Sequence, residues 1–391
     1  MSQYKLAYIL DQYLPVKKAN SENAINTASA LAAEGLDVEL IIPRKWRTLG
    51  KRKTLLHKQL IDFYHIENGF DITQLLSLPF SPFKLTKVVH GLLAPIYARI
   101  SNHDIIYTRN SMPALVALAL RKKVIFEAFR VFDQHKSDAV TYLAKLTNSL
   151  DSLIIAAQSL PSKETLIQAG AAGENLSVIP TGFNPGHLTP LLTKAQARRK
   201  LGWNEQDKIA CYTGRIDIDK GVYTILELAK RTPEINYVLI GYSKDYNDDW
   251  ILDAAARKGL QNVRWFPWVT LKNLAKYLYA ADVLIIPPTA EPMLKYGGTV
   301  LPMKSLIYMG AGRCILAPAL PDTKNILNEH NATLIEPDNI DSAQEGIERI
   351  FEDEAWAQSM ARQAQLDSKN FTWQSRAKRI IAFMNERFGS H

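Results

Sequence analysis

Thirteen residues, Ile209 to Gly221 (IACYTGRIDIDKG), hold the densest chemistry in this chain. An apolar run ends at Gly214, Arg215 follows, and Lys220 and Gly221 stand just before a helical pattern from Val222 to Lys230. A glycine at a strand end lets a ligand approach the backbone, and two fixed cations near a helix start suit a diphosphate. Phosphate binding is the chemistry that follows; an ordinary strand-turn-helix connection with surface charges is the plainer alternative. Asp217 and Asp219 have the spacing of a carboxylate metal pair, but a metal there would compete with Arg215 and Lys220, so no metal site is expected.

These residues need a scaffold, and the pattern supplies alternating strands and helices, hence parallel sheets. After Gly221 come a helix, a strand at Tyr237 to Ile240, a helix at Trp250 to Lys258, a strand at Val263 to Phe266, a further helix and the strand AADVLIIPP. In the first half, strand Lys5 to Leu10 leads through a loop to a helix from about Ser21 to Glu34 and a strand at Asp37 to Pro43. Ser21 reads as the N-cap, which would turn Asn20, Ser21 and Glu22 toward a cleft. Strands are expected at Ile105 to Thr108, Val124 to Phe126, Leu153 to Ala156 and Leu176 to Ile179, with helices at Met112 to Leu120, Ala139 to Leu150 and Ser159 to Ala169.

At 391 residues the chain exceeds one ordinary hydrophobic core, so two domains are expected. No run reaches the ~18 apolar residues that cross a bilayer, and Leu6 to Leu10 is a strand rather than a leader, so a cytoplasmic protein is expected. Cys211 and Cys314 fall in expected strands without metal-type spacing and suit a reducing compartment. The net charge is uneven: residues 1–184 hold 21 Lys/Arg against 15 Asp/Glu, net +6, and residues 185–391 hold 26 against 24, net +2. Much of the excess is Arg44 to Lys58, with seven cations, no carboxylate and interleaved Trp46, Leu49, Leu55 and Leu56. That segment offers a peripheral contact with an anionic membrane, such as the inner face of a cell membrane, and equally reads as a solvated loop and helix face. The stretch Ser81 to Ile100 could extend the same surface. No nucleic-acid recognition signature accompanies the charge.

The order Gly214-Arg215, Lys220-Gly221, AADVLIIPP, PMKSLIYMGAG, with SVIPTGFNP at the domain junction and FTWQSRAKRIIAFMNERF at the end, resembles the retaining glycosyltransferases of family 4 (glycosyl transferases group 1). The resemblance covers most of residues 205–391 and the first half in outline. It implies an α/β protein of GT-B fold: two facing Rossmann-like doubly wound domains, an acceptor-binding one at 1–184 and a nucleotide-sugar-binding one at 185–370, with a C-terminal helix at 371–391 crossing back to the first. Ligands of such sheets lie outside the carboxyl ends of the strands.

The resemblance also assigns residues. Arg215 and Lys220 match the pair that holds the donor diphosphate, with Gly214 beside them. Glu291, nine residues after Asp282, matches the carboxylate near the donor sugar. Ile307 occupies the position of the carboxylate that grips the ribose, which forfeits two charge-assisted hydrogen bonds of roughly 1.5–3 kcal/mol each. Lys304 and the glycine-rich stretch Gly297, Gly298 and Thr299 are the expected helpers, since such amides cradle phosphate; Trp268 is a candidate to flank the base and equally reads as a tryptophan packed at the domain edge. The simpler reading of Ile307 is a core residue. On the sugar or acceptor side stand Asn20, Ser21, Glu22, Glu127 and Arg130; Phe129 replaces a histidine of the family, so either Arg130 or His135 takes its duty or the duty is lost, and His135 equally reads as a surface histidine.

The implied activity is metal-independent transfer of a sugar, with retention, from a UDP- or GDP-linked donor to a glycan or lipid-linked acceptor in surface polysaccharide assembly. No cofactor is implied. A degenerate scaffold that binds a partner or glycan without turnover is the alternative, motivated by Phe129 and Ile307. A sugar-nucleotide 2-epimerase shares the two-domain plan but needs a histidine where Phe129 stands.

Overall fold

The computed structural model describes residues 4–16, 18–45, 53–64, 66, 69–76, 83–129, 138–244, 246–247, 249–295 and 304–389. The chain divides into two units, Met1–Gly182 with Trp373–His391, and Phe183–Thr372.

The first unit is a parallel seven-stranded sheet, in the order β3-β2-β1-β4-β5-β6-β7. Its strands are β1 (Lys5–Ile9), β2 (Asp37–Arg44), β3 (Asp71–Leu76), β4 (Ile105–Thr108), β5 (Lys123–Ala128), β6 (Leu153–Ala157) and β7 (Leu176–Val178). Runs such as LIIAA in β6 are buried throughout, as a sheet covered on both faces requires. The connecting helices are α1 (Ala19–Ala33), α2 (Lys53–Tyr64), α3 (Phe83–Ile100), α4 (Ser111–Ala119), α5 (Asp138–Leu146) and α6 (Leu160–Gln168). Strand β3 was not foreseen; as an edge strand its side chains are half-buried, and DITQLL lacks the aliphatic density of its neighbours.

Two helix boundaries depart from expectation. Helix α1 starts at Ala19 behind Lys18, which has extended backbone and no side-chain cap, so Ser21 lies within the first turn and its hydroxyl meets Gln12 instead of capping. Helix α5 stops at Leu146, short of Leu150. The buried Thr147 hydroxyl donates to the Ala144 carbonyl (2.6 Å) and accepts from the Ala172 amide (2.8 Å), fixing a turn there.

The second unit is a parallel six-stranded sheet, in the order β10-β9-β8-β11-β12-β13. It opens with α7 (Lys194–Leu201), whose Thr193 and Gln196 form a capping box, and continues through β8 (Lys208–Thr213), α8 (Val222–Arg231), β9 (Ile235–Ile240), α9 (Trp250–Arg257), β10 (Val263–Phe266) and α10 (Leu271–Ala280). Next come β11 (Val283–Ile285), α11 (Glu291–Lys295), α12 (Lys304–Ala311), β12 (Cys314–Pro318), α13 (Pro321–Lys324), β13 (Thr333–Ile335), α14 (Ile340–Glu352) and α15 (Glu354–Ser368). Alternate residues of β8 feed opposite core layers: Ile209 and Cys211 join one, Ala210 and Tyr212 the other. Asp282 anchors the amino end of this sheet, accepting from buried Arg198 (2.7 Å), Lys194 (2.7 Å) and the Ile209 amide (2.8 Å).

The closing helix α16 (Trp373–Phe388) belongs to the first unit. Its buried Arg376 donates to the carbonyls of Ile179 (2.7 Å) and Pro180 (2.6 Å) and pairs with Glu127 Oε1 (2.8 Å). A buried cation with this many partners stabilises one arrangement of the helix and penalises others.

Candidate functional site

Strands β8 and β11 are neighbours at which the strand order of the second, parallel sheet reverses, and the carboxyl ends of β8, β11 and β12 surround a cavity of about 170 Å³. In open α/β sheets this reversal is where ligands lie. The wall includes Gly214, Arg215 and Lys220 from the loop after β8; Ile286, Pro287 and Thr289 after β11; Pro292 and Met293 of α11; Lys304 of α12; and Pro318 and Leu320.

The loop after β8 holds its cations by backbone geometry. Gly214 has φ +138°, and a Cβ built on it would lie 3.0 Å from the Lys304 amine. A short 3-10 turn (Ile218–Lys220) then carries Lys220, and Gly221, at φ +69°, closes it where a Cβ would overlap the Thr289 methyl. Only glycine satisfies both the left-handed backbone and the close approach. Tyr212 reinforces the loop by donating to the Arg215 carbonyl (2.7 Å).

Arg215 is oriented by its own loop. Its guanidinium pairs with Asp217 (3.2 Å) and Asp219 (2.9 Å), so both aspartates orient the arginine. Asp217, buried, also accepts from the Ser243 hydroxyl (2.6 Å) and the Lys244 amide (2.9 Å), tying this loop to the one after β9. Among the described residues no group of three His, Cys, Asp or Glu could hold a metal ion.

Lys304 is the third basic residue of the cavity. Its amine stands 3.8 Å from the centre of the Tyr212 ring. Burial, and then the charge of Lys220, lower its pKa to about 7, from 10.5 for an ordinary lysine. An amine so placed is poised to accept a proton when an anion enters. Ile307, one turn on, is partly buried and packs against the core, so the carboxylate expected at this position is absent and a hydrophobe fills its place.

Glu291 is the first residue of α11; its Oε2 accepts from the Tyr223 hydroxyl (3.1 Å), and its amide donates to Thr289 Oγ1 (3.1 Å). The phenol of Tyr223 is shifted upward by burial and by this bond to Glu291. Trp268 is half-exposed in the loop after β10 and does not line the cavity. Gly297, Gly298 and Thr299 lie outside the described residues, as do Arg130 and His135. Tyr212, Tyr223 and Thr289 were missed by sequence reasoning. Tyr212 sits inside an apolar strand run and reads as core, and no local motif marks the other two.

In the first unit the structure corrects the role of Glu127. Its carboxylate is wholly buried, meeting Arg376 (2.8 Å), Arg109 (3.6 Å), the Tyr107 hydroxyl (2.8 Å) and the Gln158 amide (2.6 Å). Burial would raise its pKa, but Arg109 and Arg376 outweigh that and hold it below the usual carboxylate range. It braces the fold and presents nothing to a sugar. Phe129, where the histidine was expected, packs over the Arg109 guanidinium (4.5 Å). Asn20 and Glu22 lie in the first turn of α1; burial raises the pKa of Glu22, and the Asn20 carbonyl accepts from Arg109 (3.2 Å). Thr181, of the SVIPTGFNP turn, accepts from the Asn23 amide (2.7 Å).

The comparisons with known proteins agree with this architecture. The model of the family "Glycosyl transferases group 1" matches residues 193–367. An uncharacterized glycosyltransferase of Methanocaldococcus jannaschii is 27% identical over 218 residues, 53% of each chain, so this alignment spans about half the relative's length. A putative teichuronic acid biosynthesis glycosyltransferase, TuaC of Bacillus subtilis, is 22% identical over 356 residues, 84% of each chain. Among solved structures, HepE of Anabaena in complex with UDP superposes with a TM-score of 0.74 over 98% of this chain and all of that one, at 16% identity, a likeness of fold. Residues 193–367 thus match the glycosyl transferases group 1 family, and the chain has a GT-B fold.

Proposed function

We propose that the chain transfers a sugar from a nucleotide diphosphosugar to a glycan or lipid-linked acceptor, with retention and without a metal, in surface polysaccharide or glycolipid assembly. The observation that carries this reading is the cavity at the ends of β8, β11 and β12, into which Arg215 and Lys220 bring two cations and Lys304 an amine that is charged once an anion enters. Negative charge develops on the leaving diphosphate as the glycosidic bond breaks, and fixed cations stabilise it there without reorganising. With the charge held, the acceptor hydroxyl attacks on the face the diphosphate leaves, and a diphosphate oxygen takes its proton. Glu291, steadied by Tyr223, positions sugar hydroxyls rather than forming a covalent intermediate. The UDP-bound relative of like fold makes uridine the first base to test, with guanosine next.

The test is a thermal-shift panel of UDP, GDP, ADP, dTDP and CMP. A ligand at about 100 times its Kd stabilises by about 2.7 kcal/mol. A shift with one diphosphate, lost in Lys220→Ala, supports the donor site; no shift with any of them would leave the second reading, a scaffold that binds without turnover. That reading is favoured by Ile307, which offers the ribose no charged contact.

A further inference from the structure

Helix α3 carries its aliphatic side chains on the face turned away from the protein. From Leu85 to Ile100 the exposed positions are Leu85, Val88, Leu92, Leu93, Ile96, Arg99 and Ile100, and the six aliphatic ones are 41–75% exposed. Spaced by three and four residues, they form one stripe along four turns. The opposite face, packed on the sheet and α4, is small or polar: Thr86, His90, Gly91, Ala94 and Ala98 are buried. Scattered exposed leucines are ordinary, but an unbroken aliphatic stripe marks an interaction surface.

Charge indicates what it meets. From Ile72 to His103 the sequence contains no carboxylate, and its cations are Lys84, Lys87 and Arg99. From Leu40 to Ile61 there is again none, against seven cations. Among the described residues the first stretch meets the second at one point: Arg44 at the end of β2 pairs in register with Leu76 at the exposed end of edge strand β3. Lys87 pairs with Asp11 (2.7 Å), toward the sheet end. A contact between two copies of the chain gives no reason to exclude carboxylates from both stretches. An anionic headgroup layer does, since each cation near it strengthens binding roughly fivefold and each carboxylate would be repelled. Among the described residues no helix is long and apolar enough to cross a membrane; an amphipathic helix that meets a bilayer without crossing it lies in the plane of its surface.

We propose that the outer face of α3 is a lipid-contact surface by which the chain docks peripherally on an anionic bilayer. It goes beyond the sugar-transfer reading and stands on different residues, so Lys220→Ala leaves vesicle binding unchanged even where it abolishes nucleotide binding.

The experiment is flotation with vesicles of phosphatidylcholine alone and of phosphatidylcholine containing about one-third phosphatidylglycerol. The wild-type chain is expected to float with the anionic vesicles, and Leu92→Glu/Ile96→Glu to bind them at least about tenfold more weakly. A second measurement is independent of that variant. Leu92→Cys is labelled with an environment-sensitive dye, Cys211 and Cys314 being buried, and Lys378→Cys on α16 serves as the control. Emission rising at position 92 and not at 378 supports the proposal. It is overturned if the glutamate pair floats like the wild type, or if the dye at 92 does not respond. It is equally overturned if the stripe proves to hold a dimer that the glutamate pair disperses while no vesicles are bound.

Discussion

The Lys304 amine should make nucleotide diphosphate binding consume a proton. In the empty site burial and Lys220 lower its pKa to about 7, and the other charged side chain lining the cavity, Arg215, is likewise a cation. A diphosphate beside the amine favours the charged form and returns its pKa toward the ordinary lysine value. Below pH 7 the amine is already charged and nothing more is required. Above pH 7 a proton must come from solvent, and each pH unit then weakens binding up to tenfold, about 1.4 kcal/mol. Between pH 7 and 9 the affinity for UDP should fall about fifty-fold, in a window above the terminal phosphate's own titration near 6. Isothermal titration calorimetry at pH 8 in two buffers of different ionisation enthalpy should show about 0.9 proton taken up per UDP. Lys304→Met should bind more weakly at pH 7, lose the uptake and show a flat profile. The same shift has a signature without ligand: the native state prefers the neutral amine while the unfolded chain stays protonated to about 10.5, so wild-type stability should rise with pH between about 7 and 10.5, and less so in Lys304→Met. A flat wild-type affinity from pH 7 to 9, or undiminished uptake in Lys304→Met, would refute the reasoning.

Three further outcomes test other parts of the structure. Ile307→Glu should tighten UDP binding by at least about tenfold, the return of one charge-assisted contact to the ribose, and calorimetry showing weaker binding would mean that the ribose lies elsewhere. Glu127→Ala, which strands Arg109 and Arg376 in the interior, should cost about 3–5 kcal/mol in urea denaturation, and Glu127→Gln distinctly less; a loss under about 1 kcal/mol would contradict the bracing role. Because the Glu127 pKa is held low, its contribution is present above the ordinary carboxylate range and fades as pH falls through its own lowered pKa, so the two variants should approach wild-type stability in acid. Gly221→Ala, at φ +69° and against the Thr289 methyl, should cost about 1–3 kcal/mol in stability and weaken UDP binding through displacement of Lys220; unchanged values would show that the turn relaxes freely.

What could be read from the sequence depended on how far apart the deciding residues stand. The parallel sheets were legible because strands buried on both faces are apolar throughout, and β1, β6 and β8 declare themselves; β3, half-buried at an edge, does not. Arg215 and Lys220 were legible because a single turn carries both. Tyr212, Thr289 and Tyr223 reach the site or its carboxylate only once β8 and β11 lie side by side, and nothing within one segment signals that. Glu127 was misread for the same reason. A carboxylate at the end of a strand looks available until Arg376, from the last helix of the chain, is seen to neutralise it. Helix α3 shows the limit from the other side. Its aliphatic spacing is that of any amphipathic helix, and periodicity states that such a helix has two faces without stating which of them meets the sheet. What distinguishes them is the size of the buried residues: Gly91, Ala94 and Ala98 let the helix sit close to the sheet and α4, where a Cβ on Gly91 would lie 2.9 Å from Met112, and so commit the leucines to the outside. A stripe of small residues opposite a stripe of large aliphatic ones is thus the sequence signal that the apolar face points outward, and substitution of Gly91 by leucine should turn that preference into a measurable loss of stability.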